Sequence, residues 1–402
     1  MSSQLSQLGL LIFVSALVAM LSRRVHLPYT VGLVLAGIGL EFLPIRLHLQ
    51  LSKALIFTVF LPPLVFEAAL HIRWRELKAD LPVVVLLATV GLVLAAAVTA
   101  IGMHYAVGWE WGSAAVFGVL IAATDPVSVI ATFKEARVGG RLRLLVEAES
   151  LLNDGTAAVA FIVALNIAAG TSSTVLEAGQ TLLWSIGGGI LSGAVAGFGM
   201  LFLAGRTVDP LVEITFTTLA AYGSFLVAEH FHCSGVLAAM TAGLVTGSRV
   251  ARDSISEPGR VALESFWEYA AFVANSLIFL LIGAREAQQH FADLWRPALA
   301  AIALVTLGRA VAIYPVCALF IRSRLKVGRR EQHILFWGGL RGALALALGL
   351  GLPQELPHRD AIVAATLAVV AFSIFVQGLT MTPLLRRLGH LPGPEAPDGA
   401  PG

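Results

Sequence analysis

Val146-Glu-Ala-Glu-Ser-Leu-Leu-Asn-Asp-Gly-Thr-Ala-Ala-Val-Ala-Phe161 opens an otherwise apolar segment that runs to about Ala169. It carries Glu147, Glu149, Ser150, Asn153 and Asp154, and only Gly155, Thr156 and small or apolar residues follow the aspartate. Asp154 therefore falls inside a membrane span. A carboxylate at that depth costs roughly 2.5–3.5 kcal/mol on insertion scales, so by default it marks function. Ser150 and Asp154 are four residues apart and share a helix face, whereas Glu149 lies roughly 140° around the helix from Asp154. Helical geometry thus separates an ion-facing pair, Ser150 with Asp154, from a scaffold pair, Glu149 with Asn153. Glu147 reads as interfacial.

Composition agrees with a membrane setting. Of 402 residues, 57% are hydrophobic and 13% charged, about half the charge of a soluble domain. Apolar runs recur from end to end, which implies an all-α polytopic protein; the alternating ten-residue strands of a porin-like barrel do not occur. Cys233 and Cys317 lie in or beside apolar runs and form no disulfide or zinc framework. Ser6–Leu21 lacks the basic start and small-residue cleavage site of a signal peptide and reads as the first span.

The expected spans are about thirteen: 5–22, 28–43, 52–70, 82–104, 112–133, 145–169, 179–204, 211–229, 233–248, 263–283, 297–321, 332–352 and 361–385. They leave no room for a soluble domain within 1–388. The Pro/Gly-rich stretch 389–402 is expected to be a short disordered cytoplasmic tail with no appended regulatory domain. Twenty of the 27 Lys and Arg residues fall in one set of loops and five in the alternate set, with Arg309 and Arg341 inside spans. The positive-inside rule then puts the N-terminus outside and the C-terminus in the cytoplasm.

Four further stretches carry polar groups at membrane depth. In Leu61-Pro-Pro-Leu-Val-Phe-Glu67 the paired prolines interrupt the helical ladder a turn before Glu67, which is either a structural carboxylate on a kinked helix or part of a site. Gly118-Val-Leu-Ile-Ala-Ala-Thr-Asp-Pro-Val-Ser-Val-Ile130 places Asp125 before Pro126, where the helix opens. There Thr124 can offer a carbonyl and Asp125 a charge to a cation, or Asp125 can cap the restarted helix, and both can hold together. Arg309 suits Glu149 as a buried, structural partner because a guanidinium stays charged and binds bidentately. Trp337-Gly-Gly-Leu-Arg-Gly-Ala-Leu-Ala-Leu-Ala-Leu-Gly-Leu-Gly351 holds five glycines and Arg341 seven spans after the first break. Paired breaks point to an inverted-repeat transporter with a midplane site, though the glycines also suit close helix packing. Asn275 reads as an interhelical hydrogen bond, and Glu213, Glu264 and Glu268 as interfacial. No catalytic or phosphate-binding motif occurs, so the chain does not read as an enzyme.

Thr124-Asp-Pro-Val-Ser-Val129, Glu149-Ser-Leu-Leu-Asn-Asp-Gly155, Asn275-Ser-Leu-Ile-Phe-Leu-Leu-Ile-Gly283 and Gly338-Gly-Leu-Arg-Gly-Ala343 occur in the order in which similar motifs stand in the monovalent cation:proton antiporter-1 family. The chain resembles that family, including its NhaP-type sodium/proton exchangers, from about Leu8 to Leu388. The resemblance implies a homodimer of thirteen-helix subunits in the cell membrane, with two crossed, discontinuous helices. A core part, about 82–169, 263–283 and some of 297–385, would move against a dimerisation part. It further implies Asp154 as the ion-binding and proton-carrying residue, with Ser150, Thr124, Asp125 and Glu67 completing the site. Asn153 would gate or orient Asp154, Glu149–Arg309 would be a structural salt bridge, and Arg341 would compensate charge at the crossing. No cofactor is implied beyond the transported sodium or lithium ion and the proton.

Asn153 does not titrate and Arg309 stays protonated, so the neighbourhood offers no second proton carrier. Electroneutral exchange of one cation for one proton follows as the expectation. Potassium/proton exchange is the alternative within the class, since hard oxygen ligands suit both cations. A passive cation channel would need a continuous polar pore, and an intramembrane enzyme a nucleophile–base pair or a metal motif.

Overall fold

The computed structural model describes residues 2–25, 27–42, 52–135, 138–170, 175–248, 251, 254–287 and 295–389. Residues 390–402 of the expected tail, and Arg46, Arg137, Arg249 and Arg252 of the charge census, lie outside them. Among the described residues every regular element is helical. In order they are α1 (Ser2–Val25), α2 (Tyr29–Glu41), α3 (Leu55–His71), α4 (Trp74–Val107), α5 (Trp111–Ala122), α6 (Val127–Glu135), α7 (Arg141–Ala168) and α8 (Val175–Ala204). There follow α9 (Pro210–His230), α10 (Gly235–Thr246), α11 (Glu257–Ala287), α12 (Trp295–Leu319), α13 (Arg329–Trp337), α14 (Ala343–Leu350) and α15 (Arg359–Arg387).

Helical runs lie over each of the expected apolar segments, the fifth as α5 with α6 and the twelfth as α13 with α14. Among the described residues seven runs are long and apolar enough by themselves to cross a bilayer: α4, α7, most of α8, α9, α11, α12 and α15. By contrast α2 and α10 hold 13 and 12 residues. At 1.5 Å per residue such helices reach about 20 Å against a hydrocarbon core of ~30 Å, so flanking residues must complete any crossing they make. Large apolar side chains stand exposed along α1, α8 and α9, among them Phe13, Leu183, Trp184, Val195, Phe202 and Leu211. In water such surfaces would aggregate; in a bilayer they meet lipid tails or other helices.

Two large apolar clusters organise the packing. One is built mainly from α4, α5, α7 and α12–α15, the other mainly from α1, α2, α3 and α11 with parts of α14 and α15. Helix α4 packs on α5 and α12, whereas α11 packs on α2, α3 and α9 and α10 packs on α3 and α8.

Several helices relax locally into wider π turns, at 55–60, 87–91, 219–223 and 373–378, and cross-helix bonds pin them there. Pro63 lacks the N–H that would bind the Val59 carbonyl one turn back, and the Tyr222 hydroxyl donates to that carbonyl at 3.0 Å. Thr156 on α7 donates to the Ala88 carbonyl of α4 at 2.6 Å. The proline pair therefore leaves α3 helical throughout, with a π turn just ahead of it, rather than broken.

Candidate functional site

Helix α5 stops at Ala122 and the chain runs extended through Ala123 (φ −58°, ψ 134°) until α6 begins at Val127. Pro126 explains the break, since it drives the residue before it out of the helical region. The second break spans 338–342, between α13 and α14. The two extended segments cross and bind each other. The Asp125 N–H donates to the Leu340 carbonyl at 2.7 Å, and Arg341 Nη1 donates to the Ala123 carbonyl at 3.0 Å. Ser373 on α15 fastens the same crossing, its hydroxyl accepting the Arg341 N–H at 3.2 Å.

Asp125 Oδ1 accepts the Val127 N–H at 2.9 Å, and the carboxylate also takes the Ala343 N–H. One side chain thus caps α6 and α14 together, at ends whose dipoles favour negative charge. Gly342 makes this approach feasible, because a Cβ there would overlap the Asp125 carboxylate. Gly342→Ala is therefore expected to force the crossing apart, at about 1–3 kcal/mol of overpacking. Thermal unfolding of the purified variant reads that loss, with the exchange rate falling in parallel; wild-type values for both would remove the close contact from the account.

Helix α7 supplies the other wall. The Ser150 hydroxyl donates to the Thr124 carbonyl and receives the Thr124 hydroxyl at 3.1 Å. Asn153 Nδ2 lies 3.1 Å from both the Ala122 carbonyl and Thr124 Oγ1, and 3.5 Å from Glu149 Oε1. These bonds stitch the extended segment to α7. Glu149 is buried and takes Arg309 bidentately, at 2.7 and 3.0 Å, while the guanidinium also reaches the Leu335 carbonyl at 2.9 Å. Arg309 Nε lies against Gly339, where a Cβ would overlap it. The glycines at 339 and 342 thus make room for charged side chains, beyond simple helix packing.

A cavity of about 290 Å³ opens beside the crossing. Thr124, Asp125, Asp154 and Glu67 line it together. Asp154 Oδ1 is buried and has no hydrogen-bond donor among the described residues. An acceptor left bare in that position is costly unless a proton, a water or a cation meets it. Ser150, Asn153, Glu149, Arg309 and Arg341 stand behind this wall, holding its backbone in place. Among the described residues no three His, Cys, Asp or Glu side chains converge as a metal centre.

The cavity also draws in residues that sequence reasoning passed over. Glu147, read as interfacial, lines it and pairs with Arg143 at 2.8 Å; His71 and Glu268 line it too. His71 Nδ1 is 2.9 Å from the Glu67 carbonyl and 3.4 Å from its carboxylate. Asn275 lines the cavity as well, and the interhelical bond expected of it belongs to its neighbour Ser276, 2.6 Å from the Tyr29 hydroxyl. Glu213 is fully buried, binding the Ser256 N–H and hydroxyl at 3.0 and 2.9 Å. A count of apolar runs assigns such residues to span ends; only the tilt and depth of the helices reveal what they meet.

The transmembrane family model described as "Sodium/hydrogen exchanger, transmembrane" matches residues 10–387. The Na(+)/H(+) antiporter ApNhaP of Aphanothece halophytica is 41% identical over 368 residues, covering 90% of this chain and 70% of that protein. The Na(+)/H(+) antiporter NhaP of Pseudomonas aeruginosa is 33% identical over 398 residues, covering 91% of this chain and 92% of that one. In fold, the structure of the sodium proton antiporter MjNhaP1 from Methanocaldococcus jannaschii at pH 8 superimposes with a TM-score of 0.75 at 20% identity, over 96% of this chain and 99% of that chain.

Proposed function

The chain belongs to the sodium/hydrogen exchanger family, and on that footing we propose that it exchanges one sodium or lithium ion for one proton by alternating access at Asp154. The bare, buried Asp154 Oδ1 beside the cavity carries this reading. Removing a carboxylate from water disfavours its charged form, so a bound proton and a bound cation are two ways of neutralising the same oxygens. Whichever is bound, the site crosses with its charge compensated, while the bare anion is held back. Competition for Asp154 then becomes exchange.

Thr124, Asp125 and Glu67 bring further oxygens to the cavity wall, and Ser150 and Asn153 hold Thr124 in place. Glu149 is held in a bidentate pair with Arg309 behind the cavity wall. Five carboxylates face the cavity (Glu67, Asp125, Glu147, Asp154 and Glu268) against the cation Arg143, a balance that concentrates cations there. His71 ends α3 and Arg143 and Glu147 begin α7, beside the basic loops. With the N-terminus outside and the C-terminus in the cytoplasm, the cavity faces the cytoplasm. The unit that carries the crossing, about 82–169 and 263–283 with part of 297–385, moves against the remaining helices, and two chains pair as a homodimer in the cell membrane.

Everted vesicles containing a pH-sensitive dye test this reading. Added sodium or lithium is expected to move protons, and exchange at zero pH gradient is expected not to respond to an imposed membrane potential. A response to potential would overturn the one-for-one stoichiometry. Proton movement with potassium alone would transfer the site to potassium/proton exchange, and cation flux without proton counterflow would make the protein a channel.

A further inference from the structure

Away from the cavity, positive charge is concentrated in the turn from α12 to α13. Arg322, Arg324, Lys326, Arg329 and Arg330 fall within nine residues, with no acidic residue between Leu319 and Glu331. All five are exposed. The acidic residue that follows, Glu331, is turned inward, where its carboxylate accepts the Gly328 N–H at 2.8 Å. The end of α15 adds exposed Arg386 and Arg387, and Gly389 beyond it comes close to the Arg330 guanidinium. The result is one continuous basic surface built by two chain segments. Beside it Leu319, the last residue of the membrane-crossing α12, and Ile321, two residues beyond it, are 70% and 57% exposed. Their exposure places the cations at the level where lipid headgroups begin.

The turn is also tied to the ion site. Arg141, the first residue of α7, donates to the Lys326 carbonyl at 2.8 Å and to the Leu325 carbonyl at 2.9 Å. Its Nε and Nη2 hold Asp80 of α4 at 2.9 and 2.7 Å, with Asp80 itself buried. Anything that grips the turn therefore grips the start of the helix that carries Asp154, three and a half turns further along by helical pitch (about 3.6 residues per turn).

We propose that this surface binds the phosphate headgroup of an anionic phospholipid, and that the bound lipid steadies α7 and α4 through Arg141. Each cation at a bilayer surface strengthens attraction to anionic headgroups, and apolar neighbours set the depth at which a lipid, rather than dissolved phosphate, is met. A loop bias that served only to orient the chain during insertion would need no such fastening to α7. The inference does not depend on which cation is exchanged.

Purified protein is titrated with phosphatidylglycerol and, separately, with inorganic phosphate, and thermal unfolding is followed. Stabilisation is expected from the lipid and not from phosphate. Arg322→Gln/Arg324→Gln/Lys326→Gln should bind the lipid about a hundredfold more weakly, while its backbone bonds to Arg141 persist. A control, Arg75→Gln/Lys78→Gln/Arg206→Gln, removes as many exposed cations from the start of α4 and the turn after α8 and should bind as wild type. In reconstituted vesicles, exchange by the wild type and the control should rise with the phosphatidylglycerol fraction, and exchange by the turn variant should not. Equal stabilisation by phosphate, equal losses in the two triple variants, or no effect of the lipid on the wild type would each overturn the proposal. Absence of exchange in the wild type alone would strike the proposed function and leave the binding result standing.

Discussion

Asp154→Asn is expected to abolish cation-dependent proton movement, to the level of vesicles lacking the protein, while the purified variant still folds. The two side chains are nearly the same size, so packing around α7 survives. The amide loses both properties on which exchange rests: it neither releases a proton nor bears the charge that holds a cation in a low-dielectric cavity. Relief from burying an anion is expected to raise the unfolding temperature slightly, because Asp154 Oδ1 has no donor among the described residues to compensate it. The measurement pairs dye-reported exchange with thermal unfolding of the same preparation. Exchange near the wild-type rate would remove Asp154 from the centre of the mechanism; an unfolded variant would call for Asp154→Ser, which also lacks the carboxylate.

The second large effect concerns stability. Arg309→Met leaves Glu149, 2% exposed, as a buried anion without its bidentate partner. Breaking such a pair from one side costs about 3–5 kcal/mol, whereas replacing both members with apolar groups of similar size can come close to neutral. Glu149→Met/Arg309→Met is therefore expected to regain much of what Arg309→Met loses. It should not regain all of it, because Arg309 also serves the Leu335 carbonyl and Glu149 meets Asn153. Unfolding temperatures of the two single variants and the double variant give the coupling between the residues. Simple additivity would mean that the ion pair does not hold the core together.

The outlines of this architecture are legible in the sequence, for identifiable reasons. Long apolar runs have few alternatives to helices in a bilayer, and Pro126 and the glycines of 338–342 mark the breaks because backbone chemistry acts locally. The pairing of Glu149 with Arg309 across 160 positions was also legible, since a buried carboxylate and a buried guanidinium have few other partners. What each uncharged polar group meets was harder to read. Periodicity fixes which residues share a face, but neither the tilt of that face nor its depth. Ser150 shares a face with Asp154, yet its hydroxyl is spent on Thr124 behind the cavity wall. The resemblance assigns Asn153 to Asp154, but the bonds it makes run to Ala122, Thr124 and Glu149. Asn275 and Ser276 differ by one position, which is enough to send one to the cavity and the other to Tyr29.

The mutual bonds between Asp125 and Leu340, and between Arg341 and Ala123, have a consequence for how such a protein can diversify. The crossing behaves as a knot: neither strand can be retied without loosening the other, so its residues have little freedom to change singly. The opposite side of the cavity is different in kind. Leu61, Leu64 and Glu67 on α3 and Phe272 and Asn275 on α11 face the same space from helices that take no part in the knot. Taste for one ion over another can therefore drift, or be engineered, by refitting that lining while the machinery that carries the ion stays as it is.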